Sequence, residues 1–181
     1  MGEISNIMKT SIGIAFLAAV GLFLAASTLR AEPSPAKNWS APPAKIYAQG
    51  LVDEIMAGHP ELLSVTFHGV PPGLSGVYTM FAGSFPDRIG NPDDPDDVDV
   101  IVKGITIMDP RWGRHDRERK FVMMMPLRDA AGDNLGLLVA AYRYDPKSGK
   151  GEKDFFLAGT ALRDQLAARI PGYEALFKPA R

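Results

Sequence analysis

The stretch Lys120–Tyr144, KFVMMMPLRDAAGDNLGLLVAAYRY, decides the fold. Its two ends are rich in residues that suit a pleated, half-buried surface. Its middle, Asp129-Ala130-Ala131-Gly132-Asp133, has the composition of a polar turn. Lys120 to Met125 and Leu135 to Tyr144 therefore read as two strands paired antiparallel across that turn. Leu137, Leu138 and Val139 are apolar in succession, so the second strand is expected to be covered on both faces, and another element has to supply the second cover. Met123-Met124-Met125 sends thioethers to both faces, where they are expected to fill the core rather than bind metal.

Working outward, Phe155, Leu157, Ala158, Ala161, Leu162, Leu166 and Ile170 recur at helical spacing, and Pro171-Gly172 closes a helix expected over 154–170. Upstream, Ile105 to Met108 reads as a strand. A short helix precedes it, capped by Asp93 or Asp94 before Pro95, with acids in its first turn, Lys103 in its last and Gly104 at its end. Leu62 to His68 alternates, which places Leu63, Val65 and Phe67 on one face and Ser64, Thr66 and His68 on the other. Pro71-Pro72-Gly73 turns the chain into a second strand over 77–82. A first helix begins near Pro42-Pro43, carries Ile46, Leu51, Val52, Ile55 and Met56, and stops at Gly58. The order lacks strand–helix alternation and internal repeats, so the expected class is α+β, an antiparallel sheet of about five strands flanked by N- and C-terminal helices.

The 181 residues fit one domain behind an export signal. Lys9, the apolar run from Ile12 to Leu29 and the small residues up to Ala31 follow the order of a signal peptide, which places the mature start near Glu32. An uncleaved membrane anchor is the alternative, because the run is nearly long enough to span a bilayer core of about 30 Å. The organisation expected is signal 1–31, a Pro/Ala/Ser-rich linker 32–43 and a domain 44–181, lying in the periplasm or another extracytoplasmic space. The net charge of −1, with signs mixed, gives no footprint for nucleic acid. The absence of cysteine excludes disulfides, thiolate catalysis, iron–sulfur clusters and c-type haem attachment.

Three segments carry a resemblance: Phe67-His68-Gly69-Val70-Pro71-Pro72-Gly73, Arg88-Ile89-Gly90-Asn91 with its acidic run, and Pro126 to Gly136 around Asp129. Together with Ala161 to Leu166 and Ile170-Pro171, they resemble exported bacterial single-Cache domains, the PAS-like extracytoplasmic sensors. The resemblance implies a PAS-like sheet with a leading helix and loops over one face forming a small-molecule pocket. No segment after Arg181 offers a kinase or a second span, so a direct receptor is not expected. The spaced Tyr, Arg, Trp and Asp pattern of larger amino-acid sensors is not recognisable, and that specificity is not carried over.

His68 ends a strand beside a Pro-Pro-Gly turn, where its ring can face a pocket or fix the turn. Thr66 shares its face, and Tyr78, Trp112 and Tyr142 complete the expected ligand-binding set. His59 and His115 read as loop residues, and three scattered histidines give zinc or haem no ligand spacing. Asp93, Asp94, Asp96, Asp97 and Asp99 lack the pattern of a calcium loop and read as caps and a solvated acidic face. The four arginines between Arg111 and Arg119 can clamp an anion or form internal ion pairs in a solvated loop. No nucleophile elbow, phosphate loop or paired acid and base is recognisable, so no catalytic residue, metal or cofactor is assigned. The expected function is a small-molecule-binding or sensing accessory with an envelope protein as a possible partner. A structural module without a ligand is the alternative, and an enzyme ranks third.

Overall fold

The structure of the chain is a computed structural model that describes residues 35–112 and 118–180. The export segment 1–31 and Arg114, His115, Asp116 and Arg117 lie outside the described residues. The described residues fall within one unit, Ser34–Arg181.

The strands are β1 (Leu62–Gly69), β2 (Thr79–Gly83), β3 (Ile107–Pro110), β4 (Lys120–Arg128) and β5 (Asn134–Arg143). All pairings are antiparallel, in the order β2-β1-β5-β4-β3. The helices are α1 (Tyr47–Gly58), α2 (Pro95–Lys103) and α3 (Glu152–Ala167). This is an α+β fold with a five-stranded antiparallel sheet and helices on both sides, consistent with a PAS/Cache-like domain. Among the described residues no helix is long and apolar enough to cross a membrane.

β4 and β5 are the hairpin read from the sequence, with Met124 opposite Val139 and Phe121 opposite Tyr142. The turn is held by Asp129, whose Oδ1 accepts from the amides of Ala131 (3.0 Å) and Asp133 (2.9 Å). Strand alternation sends Phe121, Met123, Met125, Leu138, Ala140 and Tyr142 to one face. There α1 contributes Leu51, Val52 and Ile55, and α3 contributes Phe155, Leu162 and Leu166. Each such buried side chain stabilises the fold by about 1.5–3 kcal/mol relative to exposure. The opposite face carries Val122, Met124, Leu137, Val139 and Ala141, which pack with Val100 and Ile101 of α2. α2 is thus the second cover that the apolar run of β5 requires.

Three local readings change. Leu63 does not share a face with Val65 and Phe67: an irregularity in the β1–β5 register between Leu62 and Ser64 puts Leu62 in the helix-side core and leaves Leu63 with the α2-side cluster. α1 begins at Tyr47 rather than at Pro42-Pro43, because Ile46 is extended and bridges to Pro179. Tyr47 N donates to Lys178 O and Ala180 N to Lys45 O, both at 2.7 Å, so the C-terminal segment fastens the residues that would have been the first turn. Within the segment read as a linker, Asn38 N donates to Gly90 O at 2.9 Å, and Trp39 packs edge-on against Phe177.

Candidate functional site

α2 covers only part of its face of the sheet. Beside it lies a cleft of about 440 Å³, floored by Leu63, Val122, Met124, Val139 and Ala141. At one end stand Thr66, His68 and the acids that begin α2; at the other stand Arg111, Glu118 and Lys120. On β5 the two ends are marked by Leu137, opposite His68, and Arg143, opposite Lys120. At about 3.3 Å per residue, they lie roughly 20 Å apart along the sheet. A larger concavity of about 520 Å³ adjoins α1 and the C-terminal segment, with Glu54 and Lys178 as its charged residues and no converging polar set.

The acidic end is built by bringing β1 against the start of α2. Pro95 opens that helix, Asp94 is its N-cap, and Asp97 reaches back so that its Oδ2 accepts from Asp94 N at 3.2 Å. Asp93, one residue earlier, is turned inward. His68 Nδ1 donates to Asp93 Oδ1 at 2.7 Å, and His68 Nε2 lies 2.7 Å from Thr66 Oγ1. The Asp93 side chain is 0% exposed, and its second oxygen, Oδ2, is buried without a hydrogen-bond partner. Asp97 Oδ2 stands 3.9 Å from His68 Nδ1. Burial holds the Asp97 carboxyl above the ordinary aspartate range, with Asp93 and Asp96 adding repulsion against the opposing pull of His68 and the Asp94 amide.

One further constraint sets the position of His68. Gly136 of β5 has φ +153, and a Cβ placed there would lie 2.3 Å from the His68 carbonyl oxygen. Only glycine lets β5 come this close at the end of β1. Behind the site, the Tyr78 carbonyl accepts from Asp93 N at 3.2 Å and from Asn38 Nδ2 at 2.9 Å.

Of the residues singled out by sequence, Thr66 and His68 line the cleft. Tyr142 does not. Its register opposite Leu62 and Phe121 turns it to the helix side, where it is 3% exposed with its ring 5.8 Å from that of Phe155. Burial, with Glu61 adding, pushes its phenol well above the ordinary tyrosine range. Trp112 packs on the same side, its ring 4.5 Å from Tyr144 and 5.4 Å from Phe121. Tyr78 is half-buried next to β2 and contributes its backbone to the site rather than its ring. Sequence reading passed over Asp93 and Asp97 as members of one site. Their signal was the acid pair on either side of a helix start, which by itself says only that a helix begins.

Thr66, His68 and Asp93 form a chain in which a proton can be held between hydroxyl, imidazole and carboxylate. The same order of groups serves acyl transfer in hydrolases, but that chemistry also needs donors for an oxyanion. Thr66 sits on an interior strand between Gly83 and Val139, so the neighbouring amides are engaged in the sheet. The site sets this hydrogen-bonded group of Thr66, His68 and Asp93 at one end of an apolar floor.

Fold and cleft define an α+β domain with a five-stranded antiparallel sheet, helices on both sides and one partly open face. No protein-family model and no curated protein matches the chain. Among solved structures it is similar to the type II free methionine-R-sulfoxide reductase from Thermoplasma acidophilum, with TM-score 0.43 and 11% identity over 66% of this chain and 88% of that one. It is also similar to the E. coli DcuS sensor domain, with TM-score 0.37 and 15% identity over 52% of this chain and 65% of that one. The Agobacterium tumefaciens repressor BlcR gives TM-score 0.38 and 14% identity over 74% of this chain and 68% of that one. A reductase, a sensor domain and a repressor at such low likeness supply no activity for this chain.

Proposed function

We propose that the chain is an exported binding or sensing domain that holds a small molecule in the cleft beside α2 and presents the altered α2 surface to an envelope protein. The observation that carries this reading is the cleft itself: about 440 Å³ over an apolar floor, with polar and charged side chains converging at both ends. Its size and lining suit a compact polar ligand. Binding there acts by shifting the populations of α2 and the neighbouring loops. Export rests on the charged start, apolar run and small-residue exit of residues 1–31.

Native mass spectrometry of the chain purified from its own envelope fraction tests the reading. The expected result is a retained small-molecule mass that is lost in Ala141→Trp, where an indole fills the floor. A bare wild-type chain, or equal retention by Ala141→Trp, would overturn it.

A further inference from the structure

We propose that His68, Asp93 and Asp97 form a binding site for one divalent transition-metal ion of the zinc class, open on its remaining side to the cleft. His68 Nδ1 and one carboxylate oxygen from each aspartate lie within 4.8 Å of one another. From His68 Nδ1 the distances are 2.7 Å to Asp93 Oδ1 and 3.9 Å to Asp97 Oδ2. Bonds of about 2.0–2.1 Å at tetrahedral angles give ligand-to-ligand edges of about 3.3 Å. The observed edges bracket that value, so the cluster closes on an ion by side-chain movements of about 1.5 Å or less.

The independent observation is Asp93. Its side chain is 0% exposed, one oxygen is bonded to His68, and the other is buried with no donor. A buried carboxylate with an orphaned oxygen is costly, since a carboxylate can accept several bonds and water does not reach this one. A cation replacing the Nδ1 proton of His68 meets the imidazole lone pair, and if Asp93 turns to coordinate it through both carboxylate oxygens, the orphaned Oδ2 gains its missing partner. The surroundings are also arranged for it. Thr66 Oγ1 sits 2.7 Å from Nε2, where it accepts the proton that leaves Nδ1 free to coordinate, the outer-shell role that fixes a ligating imidazole. The Asp94 amide holds Asp97 Oδ2 in place. Crowding Asp93, Asp96 and Asp97 at one end is a repulsion that a divalent charge relieves. Imidazole together with carboxylates selects zinc-class ions over calcium or magnesium, which take oxygen ligands. Three protein ligands leave a position for water or for an anionic group of a molecule in the cleft.

This inference does not depend on an organic ligand. The test strips the full chain with a chelator, then titrates Co²⁺ by visible absorption, with Zn²⁺ as competitor and Mg²⁺ and Ca²⁺ as controls. One Co²⁺ per chain, displaced by Zn²⁺ and indifferent to Mg²⁺ and Ca²⁺, is expected. Thr66→Val should weaken uptake by about 10–100-fold, and His68→Gln, Asp93→Asn and Asp97→Asn each by more than that. Melting of the metal-free variants checks folding. If Asp93→Asn does not fold, Asp97→Asn, whose side chain is partly exposed, decides. No stoichiometric uptake by the wild type, or wild-type uptake by both His68→Gln and Asp97→Asn, overturns the site. A bound ion without a retained organic molecule would uphold this inference and sink the small-molecule reading; the reverse result would do the opposite.

Discussion

Replacing Gly136 with alanine should damage the fold far more than the same change at Gly149. A side chain at φ +153 stores about 1–3 kcal/mol of backbone strain. The new Cβ would also stand 2.3 Å from the His68 carbonyl, where ordinary contact begins at 3.4 Å, so β5 must back away from β1 by about an ångström. Forcing one methyl into a closed contact costs a further 1–3 kcal/mol or so. The sum, about 2–6 kcal/mol, is a large part of the roughly 5–15 kcal/mol that holds a domain together. At about 2–4 °C per kcal/mol for a domain of this length, the melting temperature should fall by about 4–24 °C. Gly149 has φ +70 with nothing within 4 Å of the new atom, so Gly149→Ala meets only left-handed strain of about 1–2 kcal/mol and a loss of a few degrees. Thermal melts of the two variants in chelator decide it. Equal losses, or a greater loss at Gly149, would refute the pairing of β1 with β5 at His68.

Three other variants probe the acidic end. Because the folded pKa of Asp97 lies above the ordinary 3.8, the native state binds this proton more tightly than the unfolded chain. The ionised group therefore costs stability above that range, and the cost disappears as pH falls below 3.8. Metal-free Asp97→Asn should melt above the wild type at pH 7 and lose that advantage at low pH; an advantage constant with pH would sink the reasoning. His68→Gln should cost stability, because both ring nitrogens are bonded and the residue is 8% exposed. A glutamine keeps one of these partners, so about 1–3 kcal/mol should be lost. In a cycle with Asp93→Asn, additive losses would show that the two side chains do not act as a pair.

The elements were legible because their signals were local. Period-two runs bounded by Gly and Pro located the strands, and Asp94-Pro95 with Lys103-Gly104 bracketed α2 at both ends. The apolar run Leu137-Leu138-Val139 called for a cover on the second face without saying which element supplies it, and that element is α2. What stayed hidden was non-local. Alternation placed Thr66 and His68 together, yet nothing in the spacing said that Asp93, 25 residues on, would turn inward to meet them. Tyr142 was attractive as an aromatic near the end of a strand, but its face depends on the register against Leu62 and Phe121. The irregularity that moves Leu63 is likewise invisible in a single strand, because it arises only where two strands fail to match residue for residue.

The Tyr78 carbonyl has a mechanical consequence. A carbonyl oxygen has two lone pairs, and here one takes the Asp93 amide and the other the Asn38 side chain. It works as a rivet through two sheets of metal: the acid that faces His68 and the strand of chain entering the domain are pinned at the same point. Gly90 clamps that entering strand a second time by accepting from Asn38 N and Trp39 N. A pull on the incoming chain therefore loads the backbone of Asp93 directly, without passing through the core, and a shift of Asp93 loads the incoming chain in return.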